Sequence, residues 1–319
     1  MAGRPERVNG ASRCYHPSAT GRCDPSVTEQ LKTELERSIA EVRETAGASF
    51  AKRATAIDLL EVHVIDRLQP LDEHGEPAPA LRALHSDALE LQQQLEAANE
   101  RFLNRLRVRI RAGRYTPAGL ERALARRAGN SKRDRDYDTL DLLVAGLLEA
   151  GTLEDERAER EPEMVAYQPT PGRIILQLLA RADIQRDDVL FDLGSGLGWV
   201  VILVALLRET RAVGIEYEPA FVDYARSCAR ALNMSRAKFV HADAREASLT
   251  DGTVFFLYTP FRGQMLQQVL ERLRVEAEAR AIRVCTYGPC TAEVARVGWL
   301  GLRAGDPSRE DEVVVFQSV

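Results

Sequence analysis

Residues Val189 to Val200 read Val-Leu-Phe-Asp-Leu-Gly-Ser-Gly-Leu-Gly-Trp-Val. A short apolar strand runs into Gly194, Ser195, Gly196 and Gly198, and an apolar helical pattern follows. Glycine has no Cβ, so a strand-to-helix turn built from it lets a ligand approach the backbone closely. The surrounding pattern agrees. After about Ala166, helices predicted at 171–182, 199–209, 219–232 and 263–279 separate strands predicted at 211–216, 238–241, 253–258 and 281–287. Such alternation implies an α/β fold, a parallel sheet with right-handed crossovers and a ligand beyond the carboxyl ends of its strands.

Asp192, two residues before the first glycine, narrows the ligand. A dinucleotide site sets a pyrophosphate on the helix N-terminus, and a carboxylate beneath that loop would repel it. The spacing is also Gly-x-Gly-x-Gly, not the dinucleotide Gly-x-Gly-x-x-Gly. S-adenosyl-L-methionine has no phosphate; its ammonium and sulfonium make a nearby acid an asset. Glu216 ends the next strand about 20 residues further on, where an acid accepts ribose hydroxyls in such folds. Asp243 closes the strand after that and suits the adenine amino group. Solvated acids at strand ends are the bland alternative. Three in order, at consecutive strand ends, favour the cofactor.

From about Tyr167 onward the chain resembles a class I, seven-β-strand methyltransferase that uses S-adenosyl-L-methionine. Asp-Leu-Gly-Ser-Gly-Leu-Gly-Trp-Val-Val most resembles the non-SET histone lysine methyltransferases of the disruptor-of-telomeric-silencing type and related bacterial proteins. Tyr167-Gln-Pro-Thr-Pro171 falls where that family has a Tyr-x-x-Thr segment over the cofactor. Val254 to Gly263 falls on its acceptor loop, with Tyr258 and Thr259 in place of paired asparagines. The resemblance implies a Rossmann-like seven-stranded methyltransferase sheet, with 299–303 and 312–317 as its closing antiparallel hairpin. It implies a cofactor site of Tyr167, Thr170, Asp192, Gly194, Ser195, Gly196, Gly198, Glu216, Asp243 and Ala244, catalytic positions at Tyr258 and Thr259, and no metal. N-methylation of a protein lysine is the family expectation. The missing asparagines leave open a small-molecule or nucleic-acid acceptor, and a non-catalytic cofactor-binding scaffold. Tyr258-Thr-Pro-Phe261 shares the last two positions of the Asp/Asn-Pro-Pro-aromatic loop of nucleic-acid amine methyltransferases. His241 suits a base for an oxygen acceptor or a structural strand end.

The preceding half reads as all-helical. Residues 1–26 are expected to be disordered, 27–165 to form a helical domain and 166–319 the methyltransferase domain. Two helices are predicted between Val27 and Leu68 with a break near Gly47, then a Pro- and Gly-rich linker at 69–79. Leu84, Ala88, Leu91, Leu95, Ala98 and Phe102 form a heptad seam on a long helix that Gly113 stops. Thr116-Pro117 opens another helix, and 138–150 is amphipathic, stopped by Gly151. His63, His74 and His85 lack partners at metal or base spacing.

The 319 residues carry a net charge of −5, which hides two opposed blocks. Residues 101–135 hold 12 Arg or Lys against Glu121 and Asp134, while 136–163 hold 10 acids against Arg157 and Arg160. The basic block suits an acidic or nucleic-acid partner, or neutralisation by neighbouring helices. Its aromatics are only Phe102, in the heptad seam, and Tyr115, too few to interleave with the arginines as base stacking requires, which favours the second. No apolar run reaches membrane-spanning length, so no membrane partner and a cytoplasmic location are expected. Five scattered cysteines argue against a disulfide framework. Cys14, His16 and Cys23 lack a fourth metal ligand, so free thiols are expected there.

Overall fold

In the computed structural model the described residues are 25–45, 47, 49–68, 79–126, 138–149 and 152–319. Cys14, His16, Cys23, His74, the linker, and most of the expected disordered segment lie outside them.

The chain forms two compact units that meet at Ala97/Ala98. The first contains α1 (Pro25–Thr45), α2 (Phe50–Leu60) and the opening turns of α3 (Pro79–Arg111). Leu35, Ile39 and Val42 of α1 pack with Ala56 and Leu60 of α2, with Val64 and Leu68 beyond it, and with Leu81, Ala88 and Leu95 of α3. Leu84 and Leu91 lean on this cluster, so the heptad seam supplies a bundle core. Glu61–Ile65 continues α2 as a π-helical turn. Positions four apart on an α-helix drift by about 40°. The wider π turn offsets that drift and keeps Ala56, Leu60, Val64 and Leu68 on one face.

The second unit is built on a seven-stranded sheet of order β3-β2-β1-β4-β5-β7-β6. Its strands are β1 (Val189–Leu193), β2 (Arg211–Glu216), β3 (Ala237–His241), β4 (Val254–Tyr258), β5 (Arg283–Tyr287), β6 (Leu300–Ala304) and β7 (Val314–Ser318). The first five pair in parallel, and β7 runs antiparallel to β5 and β6 as the hairpin expectation required. Helices α6 (Gly172–Arg181), α7 (Trp199–Arg208), α8 (Pro219–Ala231), α9 (Gly263–Ala279) and the short α10 (Cys290–Val294) connect the strands. On one face Val189, Phe191, Leu193, Phe255, Leu257 and Val284 pack against Leu266, Val269 and Leu273 of α9. Strand alternation therefore sends Asp192, Tyr258 and Tyr287 to the opposite face. Val200 to Leu207 of α7 are all buried, so a continuously apolar helix makes the centre of the layers.

The second unit begins at Ala98, and its described segments ahead of residue 166 are tied to the sheet's helices. α4 (Pro117–Ala125) packs on α6 and α7, and α5 (Thr139–Leu147) packs on α6. Glu121 takes a two-pronged ion pair from Arg208, at 2.7 and 2.9 Å. Asp141 closes the capping box of α5, and its Oδ1 accepts the Gly172 N–H of α6 at 2.6 Å. The basic block joins these ties. Arg107 donates to the Gly146 and Leu147 carbonyls ending α5, and Arg111 to Ala231 O ending α8 at 2.9 Å. Cations there complement the exposed carbonyls and the negative end of each helix.

Asp188, just before β1, holds the sheet's centre together. It accepts from Arg283 Nη2 of β5 at 2.5 Å, Thr253 Oγ1 at 2.7 Å and Gln185 N at 2.7 Å. Burial works against its charge, but these bonds outweigh it and hold the carboxyl below its usual range. Asp188→Ala leaves the half-buried Arg283 guanidinium with only the Ala182 and Asp183 carbonyls and is expected to cost about 2 kcal/mol, read as a lower urea midpoint. With a depressed folded-state pKa, Asp188 contributes stability above the ordinary carboxylate pKa. The wild-type advantage should shrink as pH falls through and below that range.

Candidate functional site

The glycine loop follows β1, and its amide groups are already engaged. Gly194 and Ser195 N–H donate to Ile215 O at 2.8 and 3.1 Å, and Gly198 N–H to Ser195 O at 2.9 Å. Gly196 N–H donates to the Glu216 carboxylate at 2.7 Å. The other Glu216 oxygen takes Glu218 N–H at 2.8 Å, so one side chain clasps the loop to the exit of β2. Amides spent in this way do not form a phosphate cradle, and the loop differs in this respect from a dinucleotide turn.

A cavity of about 930 Å³ opens at the carboxyl ends of the strands. Tyr167, Thr170, Asp192, Gly194, Ser195, Glu216, Asp243, Ala244, Tyr258 and Thr259 all line it. Gly196 and Gly198 do not. Gly196 lies under the Tyr167 ring, which a Cβ would meet at 2.1 Å, and Tyr167 pairs with Phe221 at 5.0 Å. A Cβ on Gly198 would strike Phe239 at 2.5 Å, so that glycine serves the close packing of α7. The Ser195 hydroxyl is turned against Gly214 and is buried with no hydrogen-bond partner among the described residues.

The three strand-end acids sit in different states. Asp192 is 4 % exposed, and burial, with Glu216 nearby, pushes its carboxyl up to about 8. Burial also raises Glu216, against the N–H donors from Glu218, Gly196 and Tyr217. Asp243 is held below the usual range, chiefly by Arg245. Arg245 Nη2 reaches Asp243 at 2.6 Å and Glu161 at 2.5 Å. His241 is absent from the cavity wall and sets Nε2 at 3.0 Å from Tyr217 O.

Residues 152–170 form a strap over the cavity, and carboxylates pin it. Glu218 accepts Arg157 and Ala158 N–H at 3.0 and 2.8 Å. Glu163 caps α9 through Gln264 and Met265 N–H at 3.1 and 2.7 Å. Val165 N–H meets Pro260 O at 3.0 Å, and Met164 bridges Phe261. The resemblance placed only 167–170 of this strap over the cofactor; 152–166 was missed from sequence, where the acids read as surface charge.

At the end of β4, Tyr258 donates its hydroxyl to Gln168 Oε1 at 3.2 Å. Thr259, at φ +35°, donates to Tyr287 O and accepts Cys290 N–H, each at 3.2 Å, so its hydroxyl braces two strand ends. Gln168, Tyr287 and Arg173 escaped the sequence reading. Arg173 Nε and Nη2 are buried without hydrogen-bond partners among the described residues, and this charge opposes the burial that raises the Tyr258 phenol.

Comparison with known proteins agrees with this geometry. Residues 165–249 match the family described as "Histone methylation protein DOT1". A protein-lysine N-methyltransferase of Saccharolobus islandicus (strain REY15A) is 30% identical over 112 residues, covering 34% of this chain and 69% of that protein. The chain belongs to the class I S-adenosyl-L-methionine-dependent methyltransferases. Among solved structures, an RNA methyltransferase from Salinibacter ruber in complex with S-adenosyl-L-homocysteine is 26% identical. It covers 47% of this chain and 92% of its own, at a TM-score of 0.37. A SAM-dependent methyltransferase from Thiobacillus denitrificans, also in complex with S-adenosyl-L-homocysteine, is 22% identical, covering 41% and 56%, at a TM-score of 0.32. Among the described residues no helix is long and apolar enough to cross a membrane.

The cavity of this methyltransferase fits its methyl donor in chemistry as well as size. It offers acids for a cationic ligand, an aromatic roof, and a glycine where a Cβ would collide with that roof. Two outcomes are expected in calorimetry. Glu216→Ala removes a charged acceptor and the loop clasp, so S-adenosyl-L-homocysteine should bind about tenfold more weakly or worse. Asp192 holds its proton below about pH 8. A cation nearby favours the ionised form, so binding the donor should release a proton. Affinity should therefore rise with pH and level off above about 8, with proton release visible as a buffer-dependent heat. A flat profile would place the donor's positive charge away from Asp192.

Proposed function

We propose that this methyltransferase modifies a lysine amine of a protein. The carrying observation is the charge of the cavity wall. Among the described residues it has eight acidic side chains, including Glu293, Glu310 and Asp311 at the acceptor end, against Arg160 and Arg262, so acids outnumber cations even with Asp192 protonated. Such a wall attracts an ammonium group and repels a polyanion, which argues against a nucleic-acid acceptor. The Saccharolobus islandicus relative, named as a protein-lysine N-methyltransferase, supports the same reading. We also propose a cytoplasmic location. Cys228, Cys285 and Cys290 are free thiols, as suits a reducing compartment.

In this proposal Asp192, Glu216, Asp243 and Ala244, with Tyr167 and Thr170 above them, hold the donor. Bound there, S-adenosyl-L-methionine supplies a methyl group activated by its sulfonium. The protein's task is alignment, because an in-line displacement needs a near-attack geometry and a neutral nucleophile. Burial first, then Tyr287, keeps the Tyr258 phenol above its ordinary pKa, so it remains protonated and is not the base at neutral pH. Its proton is directed to Gln168, which leaves the phenol oxygen to accept an N–H of the incoming amine. That bond aims the amine lone pair. The amine yields its proton to solvent before alignment.

The test is transfer of labelled methyl from the donor to extract of the host, followed by mass spectrometry of the product. Methyl on lysine Nζ is expected; label on RNA or on a small molecule would overturn the assignment. Tyr258→Phe should lower turnover about tenfold with donor affinity unchanged, since it removes a single orienting hydrogen bond. Turnover equal to wild type would reduce Tyr258 to lining.

A further inference from the structure

Tyr287 ends β5 with no motif around it, yet the sheet sets it directly beside Tyr258. The two are register partners on adjacent parallel strands, on the face opposite α9. Their ring centroids lie 4.7 Å apart at 49°, and both rings line the cavity. Tyr287 is 6 % exposed, so its ring is the fixed inner half of the pair.

The backbone around the pair is built to hold it there. Thr259, at positive φ, ties its hydroxyl to the Tyr287 carbonyl. Gly288 follows at φ +87°, and a Cβ there would lie 2.8 Å from Thr259 Oγ1. The exit turn of β5 is therefore pressed against the exit turn of β4, and a side chain at 288 would force them apart.

Resting on the lysine reading above, we propose that Tyr287 is a specificity-determining residue. With Tyr258 it forms an aromatic wall that grips the alkyl stem of the acceptor and receives the ammonium in which it arrives, before the amine yields its proton. An aromatic face attracts a cation, and its hydrocarbon area favours the methylenes behind that cation. Each methyl added to the nitrogen keeps or restores a positive charge beside the rings. The wall thus takes an alkylamine and discriminates against flat or anionic acceptors.

The experiment uses two S-adenosyl-L-homocysteine analogues with nitrogen in place of sulfur. One carries a methyl group on that nitrogen, the other an aminoalkyl chain that mimics the lysine side chain. Calorimetry gives the gain in affinity due to the chain, without needing the natural acceptor. Wild type should bind the chain-bearing analogue about tenfold tighter. Tyr287→Phe keeps the ring and should keep the gain. Tyr287→Leu keeps an apolar side chain without a π face and should lose most of the gain while binding the methyl analogue normally. Should Tyr287→Leu fail to fold, Tyr258→Leu removes the more open ring of the same wall and should show the same loss. A gain that survives the leucine variant overturns the assignment. So does loss of the methyl analogue as well, which would mean that Tyr287 only shapes the cavity. Absence of any gain in wild type would instead sink the lysine reading itself.

Discussion

The site depends on one carboxylate. Glu216 holds Gly196 N–H with one oxygen and Glu218 N–H with the other, joining the loop after β1 to the turn after β2. The turn would otherwise present a bare amide beside a buried, largely protonated Asp192. With the clasp closed, the loop's polarity is inverted relative to a phosphate-binding turn, and the cavity floor becomes acidic. Charge-assisted bonds of this kind are short and strong in a buried setting, so the ligand preference follows from them.

The strap repeats the device at the roof. Glu218 passes the tie on from Glu216 to Arg157 and Ala158, Glu163 fastens the same segment to α9, and Arg245 links Glu161 to Asp243. Acidic residues that read as a surface block are therefore largely backbone clips and ion-pair partners. Arg107 and Arg111 show the same conversion from the basic side, as caps on helix ends.

The legible parts were those whose signal is local. β2 falls at Arg211–Glu216 and the helix after β4 at Gly263–Ala279, as their apolar periodicity indicated, and the Gly-rich turn follows the strand predicted before it. The acids that line the cavity were legible because each falls at or near the carboxyl end of β1, β2 or β3. Contacts between distant segments stayed hidden. Glu218 is 61 residues from Arg157, and Glu163 is 102 from Met265. Tyr287 sits in an ordinary apolar strand, and only the register of β4 against β5 reveals its partner. The division at Ala97/Ala98 carries no sequence signal, since α3 runs through it without a change in helical pattern.

The Val165–Pro260 and Arg262–Glu163 hydrogen bonds join the strap to the loop after β4 around a single antiparallel bridge, so in the proposed function the donor's roof and the acceptor's wall move together. Lifting the strap drags the loop that carries Tyr258; remodelling that loop changes how the strap seats. The two substrate preferences are thus mechanically coupled. A library of substitutions at 258–262 screened for new acceptors will also sample new rates of donor exchange, and neither trait can be evolved while the other is held still.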